Sequence, residues 1–264
     1  MRRVVINKKG GVGKTTIVCN LAAIAAERGR RTLVVDLDPQ ANATQYLLGE
    51  GAADLERTVA DLFAETLSGG LFGGDASDPA TFVTRTPIPG LDLLPAHRDL
   101  ETLRLRLETR FKIYKLREAL RDLGYDEVFI DTPPSLGFYT ISALIAAQRC
   151  LIPFDCDEFA RNALYELKGH VREVAGDHNR ELELEGVVVN QFQSRARLPA
   201  EIIATLEREG FPVLRPFLGA SVRIRESHRA ARPLVVMAPR HRVSVQFREL
   251  FEAIDHVRPP AAGA

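Results

Sequence analysis

Lys9-Gly10-Gly11-Val12-Gly13-Lys14-Thr15-Thr16 lies between two segments of different periodicity. Arg3-Val4-Val5-Ile6 reads as a short buried strand, and Thr15 to Glu27 carries apolar residues at Ile17, Val18, Leu21, Ile24 and Ala25, the spacing of a helix with one buried face. The stretch is therefore a glycine-rich strand-to-helix turn. Gly10, Gly11 and Gly13 can take backbone angles closed to other residues, so successive N–H groups can turn inward on an anion while the helix N-terminus adds its positive dipole end. Lys14 then reaches the β- and γ-phosphates and Thr15 ligates Mg²⁺, with Val12 and Thr16 in the same cradle. The expected ligand is a nucleoside triphosphate. The general phosphate-loop pattern has glycine five residues before Gly13, where this chain has Lys8; what the variant gains is Lys9.

Outward from the loop, apolar strands alternate with helices, an order that implies an α/β, doubly wound, mostly parallel sheet flanked by helices on both faces. The expected strands are 3–6, 32–36, 91–94, 127–131, 149–153, 184–189 and 212–215, and the expected helices lie near 14–28, 57–66, 98–123, 138–147, 159–176 and 199–209. Right-handed crossovers then bring the loop, Asp36, Asp38 and Asp131 to the carboxyl edge of one sheet, where such folds bind ligands. The stretch 69–89, rich in Gly, Pro, Ser and Asp, reads as a mobile surface loop. Residues 1–258 read as one domain, and the tail 259–264 as disordered.

Composition agrees with a large single core: 264 residues, 45% apolar and balanced in charge. The first strand follows the N-terminus within a few residues, leaving no room for a signal peptide, and no apolar run reaches membrane-spanning length, so a cytoplasmic location is expected. Cys19, Cys150 and Cys156 lack metal-type spacing and read as buried free thiols. Asp131 ends an unbroken apolar strand. A carboxylate there would be costly without a partner, so it either holds Mg²⁺ through water or Thr15, or caps a helix before Pro133-Pro134. Asn190 follows the strand Gly186-Val187-Val188-Val189, where an amide can meet both donor and acceptor of an adenine edge or make a turn. The zero net charge hides an asymmetry, since residues 191–242 hold ten arginines against four glutamates, a local +6. Such a surface can track a phosphate backbone without reading bases, or can be simply a solvated face.

These motifs resemble the ParA/MinD group of deviant Walker-motif ATPases. Leu33-Val34-Val35-Asp36-Leu37-Asp38-Pro39-Gln40-Ala41-Asn42-Ala43-Thr44 is similar to that family's second acidic motif, Val128 to Ser135 to its Walker B strand and switch, and Ser221-Val222-Arg223-Ile224-Arg225-Glu226-Ser227 to its C-terminal basic segment. The resemblance is nearest to the DNA-partitioning ParA branch. It implies that Lys9 reaches across an ATP-sandwich homodimer to the phosphates of the other subunit, and that Asp38 lies near the γ-phosphate and orients water. It implies a magnesium-shell role for Asp36 beside Thr15 and Asp131, and an adenine contact for Asn190. Arg223 is then implied in nonspecific DNA binding, with Arg225, Arg229 and Arg232 beside it. Lys8 departs from the family's usual Gln and should sit at the loop entrance. Ser68 to Ala80 looks inserted and carries no readable function.

The resemblance further implies a ParB-like or cargo-adaptor partner that stimulates hydrolysis, and a nucleoid-associated location. A MinD-like membrane regulator is the alternative, and a metabolic ATP-dependent ligase or amidase of related fold the third. Val243, Val245, Phe247, Leu250, Phe251, Ile254 and Val257 include a stripe at helical spacing near the C-terminus, but the polar face mixes Arg248, Glu249, Glu252, Asp255 and Arg258. It lacks the lysine-rich polar face that anionic lipid attracts, so docking on the core is the expectation, and no membrane contact.

Overall fold

A computed structural model of the chain describes residues 1–68, 77–156, 158–192 and 197–255. The tail expected at 259–264 lies outside the described residues, as do 69–76 of the apparent insertion. The strands are β1 (Arg2–Val5), β2 (Thr32–Asp36), β3 (Thr84–Arg85), β4 (Leu91–Leu94), β5 (Glu127–Asp131), β6 (Arg149–Phe154), β7 (Glu183–Val189) and β8 (Val213–Leu214). They form one sheet in the order β3-β4-β2-β5-β1-β6-β7-β8. Every pairing is parallel except β3 with β4. The expected strands 32–36, 91–94 and 127–131 coincide with β2, β4 and β5, since an unbroken apolar run bounded by polar residues is what a strand covered on both faces requires.

Helices α1 (Lys14–Glu27), α2 (Asn42–Leu48), α3 (Val59–Ser68), α4 (Leu100–Thr109), α5 (Lys115–Asp122) and α6 (Phe138–Ala146) belong to the first half. Helices α7 (Glu158–Asp177), α8 (Arg197–Arg208), α9 (Val222–Arg229), α10 (Leu234–Met237) and α11 (Arg242–Asp255) follow. They cover both faces of the sheet. Val4, Leu33, Val35, Val128 and Ile130 point to the layer holding α3 to α8, while Val5, Val34, Phe129 and Leu151 point to the layer of α1, α2, α10 and α11. This is the strict alternation of pleated strands.

Three elements differ from expectation. The single helix expected over 98–123 is two, because Phe111 takes a left-handed φ of 53° and the Lys112 amide closes back on the Leu107 carbonyl at 3.0 Å. The loop expected over 69–89 contains β3, antiparallel at the sheet edge, where Thr84 and Arg85 pair with Leu93 and Asp92. The basic segment is the helix α9, capped by Ser221, whose hydroxyl accepts from the Arg223 amide at 3.2 Å.

Helix α11 docks as its apolar stripe requires: Val243, Phe247, Leu250, Phe251 and Ile254 are buried. Its polar side is tied to the body through Arg28–Glu252 at 2.9 Å and Arg30–Asp255 at 2.6 Å. At the opposite edge of the sheet from the loop, the buried Arg3 guanidinium joins Glu127 and Glu185 and donates to the Ile254 carbonyl.

Candidate nucleotide site

Strand β1 lies between β5 and β6, so the chain leaves it at the point where strand order reverses, the position that opens a crevice in doubly wound sheets. The loop that fills this crevice is glycine-dependent at two places. Gly11 and Gly13 have φ of 75° and 92°. A Cβ on Gly13 would fall 2.3 Å from Asn190 Nδ2, which donates to the Val12 carbonyl at 2.8 Å. Gln191 Nε2 donates likewise to the Gly11 carbonyl at 3.0 Å. Asn190 thus braces the loop from the end of β7, a task that neither an adenine contact nor a turn anticipated.

Gly13 caps α1 with backbone alone, and no acidic residue stands in the first turn. The first-turn amides of a helix lack intrahelical partners, and with the positive end of the helix dipole they suit an anion. The Lys14 ammonium is buried beneath the loop, within 3.3 Å of the Asn7 carbonyl and 3.5 Å of the Lys9 carbonyl. Burial pulls its pKa down, opposed by Asp131 and Asp38. The two flanking lysines are engaged elsewhere. Lys8 pairs with Glu166 on α7, and Lys9 Nζ meets Asp155 Oδ2, just past β6, at 2.6 Å.

The acidic residues meet as the strand register dictates. Asp36 and Asp131 are paired positions at the ends of β2 and β5, and both are fully buried. Asp36 accepts from the Thr44 amide at 2.9 Å, the Thr44 hydroxyl at 2.8 Å and the Asp38 amide at 3.1 Å, so both its oxygens are already engaged. Asp131 Oδ2 accepts from Thr15 Oγ1 at 2.6 Å, while Asp131 Oδ1 is buried with no hydrogen-bond partner. Burial, reinforced by the Asp36 charge, pushes the Asp131 carboxyl well above the carboxylate range. A buried carboxylate with an orphaned oxygen beside a hydroxyl is a site that a divalent cation satisfies. The alternative that Asp131 caps a helix does not hold, since Gly137 stands at the N-cap of α6. Asp38 is buried at the mouth, its Oδ1 taking the Gln40 amide at 3.0 Å. Among the described residues no group of three or more His, Cys, Asp or Glu is placed to hold a metal, so a cation here would draw its remaining ligands from phosphate and water.

A cleft of about 730 Å³ continues from the loop, lined by Gly13, Thr16, Asn190, Gln191, Ser221, Arg225 and His228. Helix α9 therefore forms a wall of the same cleft as the loop. His228 Nε2 lies 2.9 Å from Thr16 Oγ1. No local signal marked His228, because its partners Thr16 and Tyr46 are distant in the chain. Arg223, Arg225, Arg229 and Arg232 are all solvent-accessible, and Arg223 pairs with Glu226 at 2.6 Å.

Against known proteins, a family model described as an AAA domain matches residues 2–184. The sporulation initiation inhibitor protein Soj of Bacillus subtilis is 33% identical over 95% of this chain and 96% of its own length. The chromosome-partitioning ATPase Soj of Thermus thermophilus is 35% identical over 96% and 95%. The chromosome partitioning protein ParA of Caulobacter vibrioides is 33% identical over 88% and 85%. Among solved structures, a cobyrinic acid a,c-diamide synthase from Mycobacterium smegmatis with bound ADP and magnesium superimposes with a TM-score of 0.80 at 29% identity, over 97% of this chain and 94% of that one. Cyanothece McdA gives 0.80 at 20% identity over 96% and 98%, a likeness of fold. A third of the residues shared along nearly the full length of partitioning ATPases, on a fold whose phosphate loop carries the additional lysine, puts this chain in the ParA family of P-loop ATPases.

Proposed function

We propose that this protein is a ParA-type ATPase in which ATP and Mg²⁺ close a sandwich homodimer, the dimer binds duplex DNA without sequence preference, and partner-stimulated hydrolysis releases it. The observation that carries this reading is the crevice itself: first-turn amides of α1 suited to an anion, Lys14 beneath them, and an orphaned Asp131 oxygen beside Thr15. Gly10 to Thr16 would wrap the phosphates, Thr15 and Asp131 would hold Mg²⁺, and Asp36 would keep the shell in place through Thr44 and Asp38. Mg²⁺ supplies charge neutralisation on the phosphates when bound.

In the reaction, water attacks the γ-phosphorus, the bond to the β,γ-bridging oxygen breaks, and ADP and phosphate leave with the water's protons shared between phosphate and solvent. Asp38 orients that water. Lys9 leaves Asp155 and reaches the partner subunit's phosphates, where its ammonium meets developing charge. Arg223, Arg225, Arg229 and Arg232 form the basic face, doubled by dimerisation. The cargo is a chromosome, a plasmid or a positioned protein assembly, brought by a ParB-like or adaptor partner, and the protein is cytoplasmic and nucleoid-associated.

The membrane-regulator alternative finds no support in the C-terminal helix. Helix α11 is buried along its apolar stripe and ion-paired to the body, and no helix among the described residues is long and apolar enough to cross a membrane. The likeness to the diamide synthase favours a second reading, an ATP-dependent ligase. That reading leaves Lys9 and the basic helix without a task. Sedimentation with ATP against duplex DNA and against anionic liposomes tests the proposal. DNA pelleting in ATP alone supports it, liposome pelleting supports the membrane regulator, and ATP turnover that appears only with a small amide-accepting acid supports the ligase.

A further inference from the structure

Helix α9 turns its arginines outward and two polar residues inward. Ser227 is buried, and its hydroxyl meets Tyr46 Oη at 2.7 Å. The His228 ring lies flat on Tyr46, centroids 3.9 Å apart and planes 9° from parallel, while its Nε2 touches Thr16 on the first turn of α1. Tyr46 Oη also receives the Leu234 amide at 3.2 Å, and Asn20 on α1 takes the Val235 amide at 3.0 Å. Tyr46 belongs to α2, the helix whose Thr44 donates twice to Asp36. The hydrogen bond from Thr16 to His228, the stack of His228 on Tyr46 and the bond from Tyr46 to Ser227 therefore connect the phosphate loop to the basic helix, and helix α2 carries both Tyr46 and the Thr44 that holds Asp36.

We propose that His228 is a positioning residue that transmits occupancy of the phosphate loop, through Thr16, to the arginine face of α9, so that ATP and DNA binding are coupled through this contact. The inference rests on the reading that an ATP-bound dimer binds DNA. A hydroxyl has one proton and two lone pairs. When Thr16 donates to a phosphate oxygen, only a lone pair is left for the ring, so His228 must donate from Nε2. Burial lowers the His228 pKa and so favours the neutral ring, in which a single proton sits on one nitrogen or the other. The order His228 Nε2–H to Thr16 Oγ1–H to phosphate then holds the ring, and with it α9, in one position. The stack on Tyr46 prevents the ring from following Thr16 by simple rotation, so a change at the loop is passed to the helix. Arg225, on the same helix, lines the cleft, and Arg223 and Arg229 face solvent on either side of this anchor.

The test measures the ratio of duplex affinities with and without a non-hydrolysable ATP analogue for the parent, His228→Phe and His228→Gln. Phe keeps the stack and loses the nitrogen, whereas Gln can return a donor near the Nε2 position. One neutral hydrogen bond is worth about a fivefold change in an equilibrium. The ratio should fall about fivefold or more in His228→Phe and be restored by His228→Gln. By linkage, the gain in nucleotide affinity on adding DNA should fall by the same factor. A parent-like ratio in His228→Phe overturns the inference while the ATP–DNA reading stands, and a parent whose DNA affinity ignores the analogue overturns both. A measurement on the unaltered chain covers the case in which a variant does not fold. Nitrogen-15 spectra of the histidine-labelled parent with the analogue and Mg²⁺ should show His228 protonated at Nε2, and an unprotonated Nε2 there removes the relay.

Discussion

Replacing Gly13 with Ala tests whether the loop's shape, and not merely its lysine, makes the site. Its φ of 92° lies where an L-residue pays about 1–2 kcal/mol. The added Cβ would fall 2.3 Å from Asn190 Nδ2, so the amide must swing away and give up its 2.8 Å bond to the Val12 carbonyl, a further cost of about 0.5–1.5 kcal/mol. Loss of glycine's freedom in the unfolded chain returns about 0.4–1 kcal/mol. The net is about 0.5–3 kcal/mol, which should appear as a lower urea midpoint of the nucleotide-free protein. The same distortion moves the amides that face the anion, so ATP affinity by calorimetry should fall about tenfold to a hundredfold. Gly10→Ala is the control, since nothing lies within 4 Å of its Cβ and its φ is outside the left-handed region; it should stay within about 0.5 kcal/mol of the parent. Combining Gly13→Ala with Asn190→Ala removes the clash, so the double variant should cost less than the sum of the two single ones. A Gly13→Ala protein with parental stability and ATP affinity would refute this account of the loop.

Asp38→Ala should keep ATP binding and accumulate dimer while single-turnover hydrolysis collapses; an unchanged rate removes Asp38 from the mechanism. Lys9→Ala should stay monomeric with ATP in light scattering yet retain nucleotide affinity, and normal dimerisation would end the sandwich reading. Arg223→Ala should weaken binding to unrelated duplexes alike and reduce the log–log salt slope by about 0.9 for each phosphate that the arginine neutralises. Arg223 faces solvent and does not line the cleft, so ATP affinity should survive its removal, whereas Arg225→Ala should lower both DNA and ATP affinity.

Parallel strands were legible because burial on both faces demands unbroken apolar runs, and β2, β4 and β5 fall on the residues such runs mark. The break at Phe111 was not, because a non-glycine left-handed residue carries no compositional mark. Nor was β3, two residues long and held only by its neighbour. Helix α9 was read as charge alone. Its inward side is Ser227 and the part-buried His228 and Ile224, so a single apolar residue packs on the core and the apolar periodicity that reveals a helix is missing.

Local chemistry thus carried the loop, its two lysines, the aspartates and the alternating architecture, since each rests on residues within a few positions of one another. Lys14 and Thr15 are adjacent, and Asp36 and Asp131 each end a strand whose apolar run announces it. The partners at the site depend instead on strand order. With β1 set between β5 and β6, Thr15 meets Asp131 and Lys9 meets Asp155, and α9 comes back over α1 so that His228 reaches Thr16. Contacts between residues more than a hundred positions apart arise from which elements neighbour one another in space, a choice made by packing the whole core and written in no single segment.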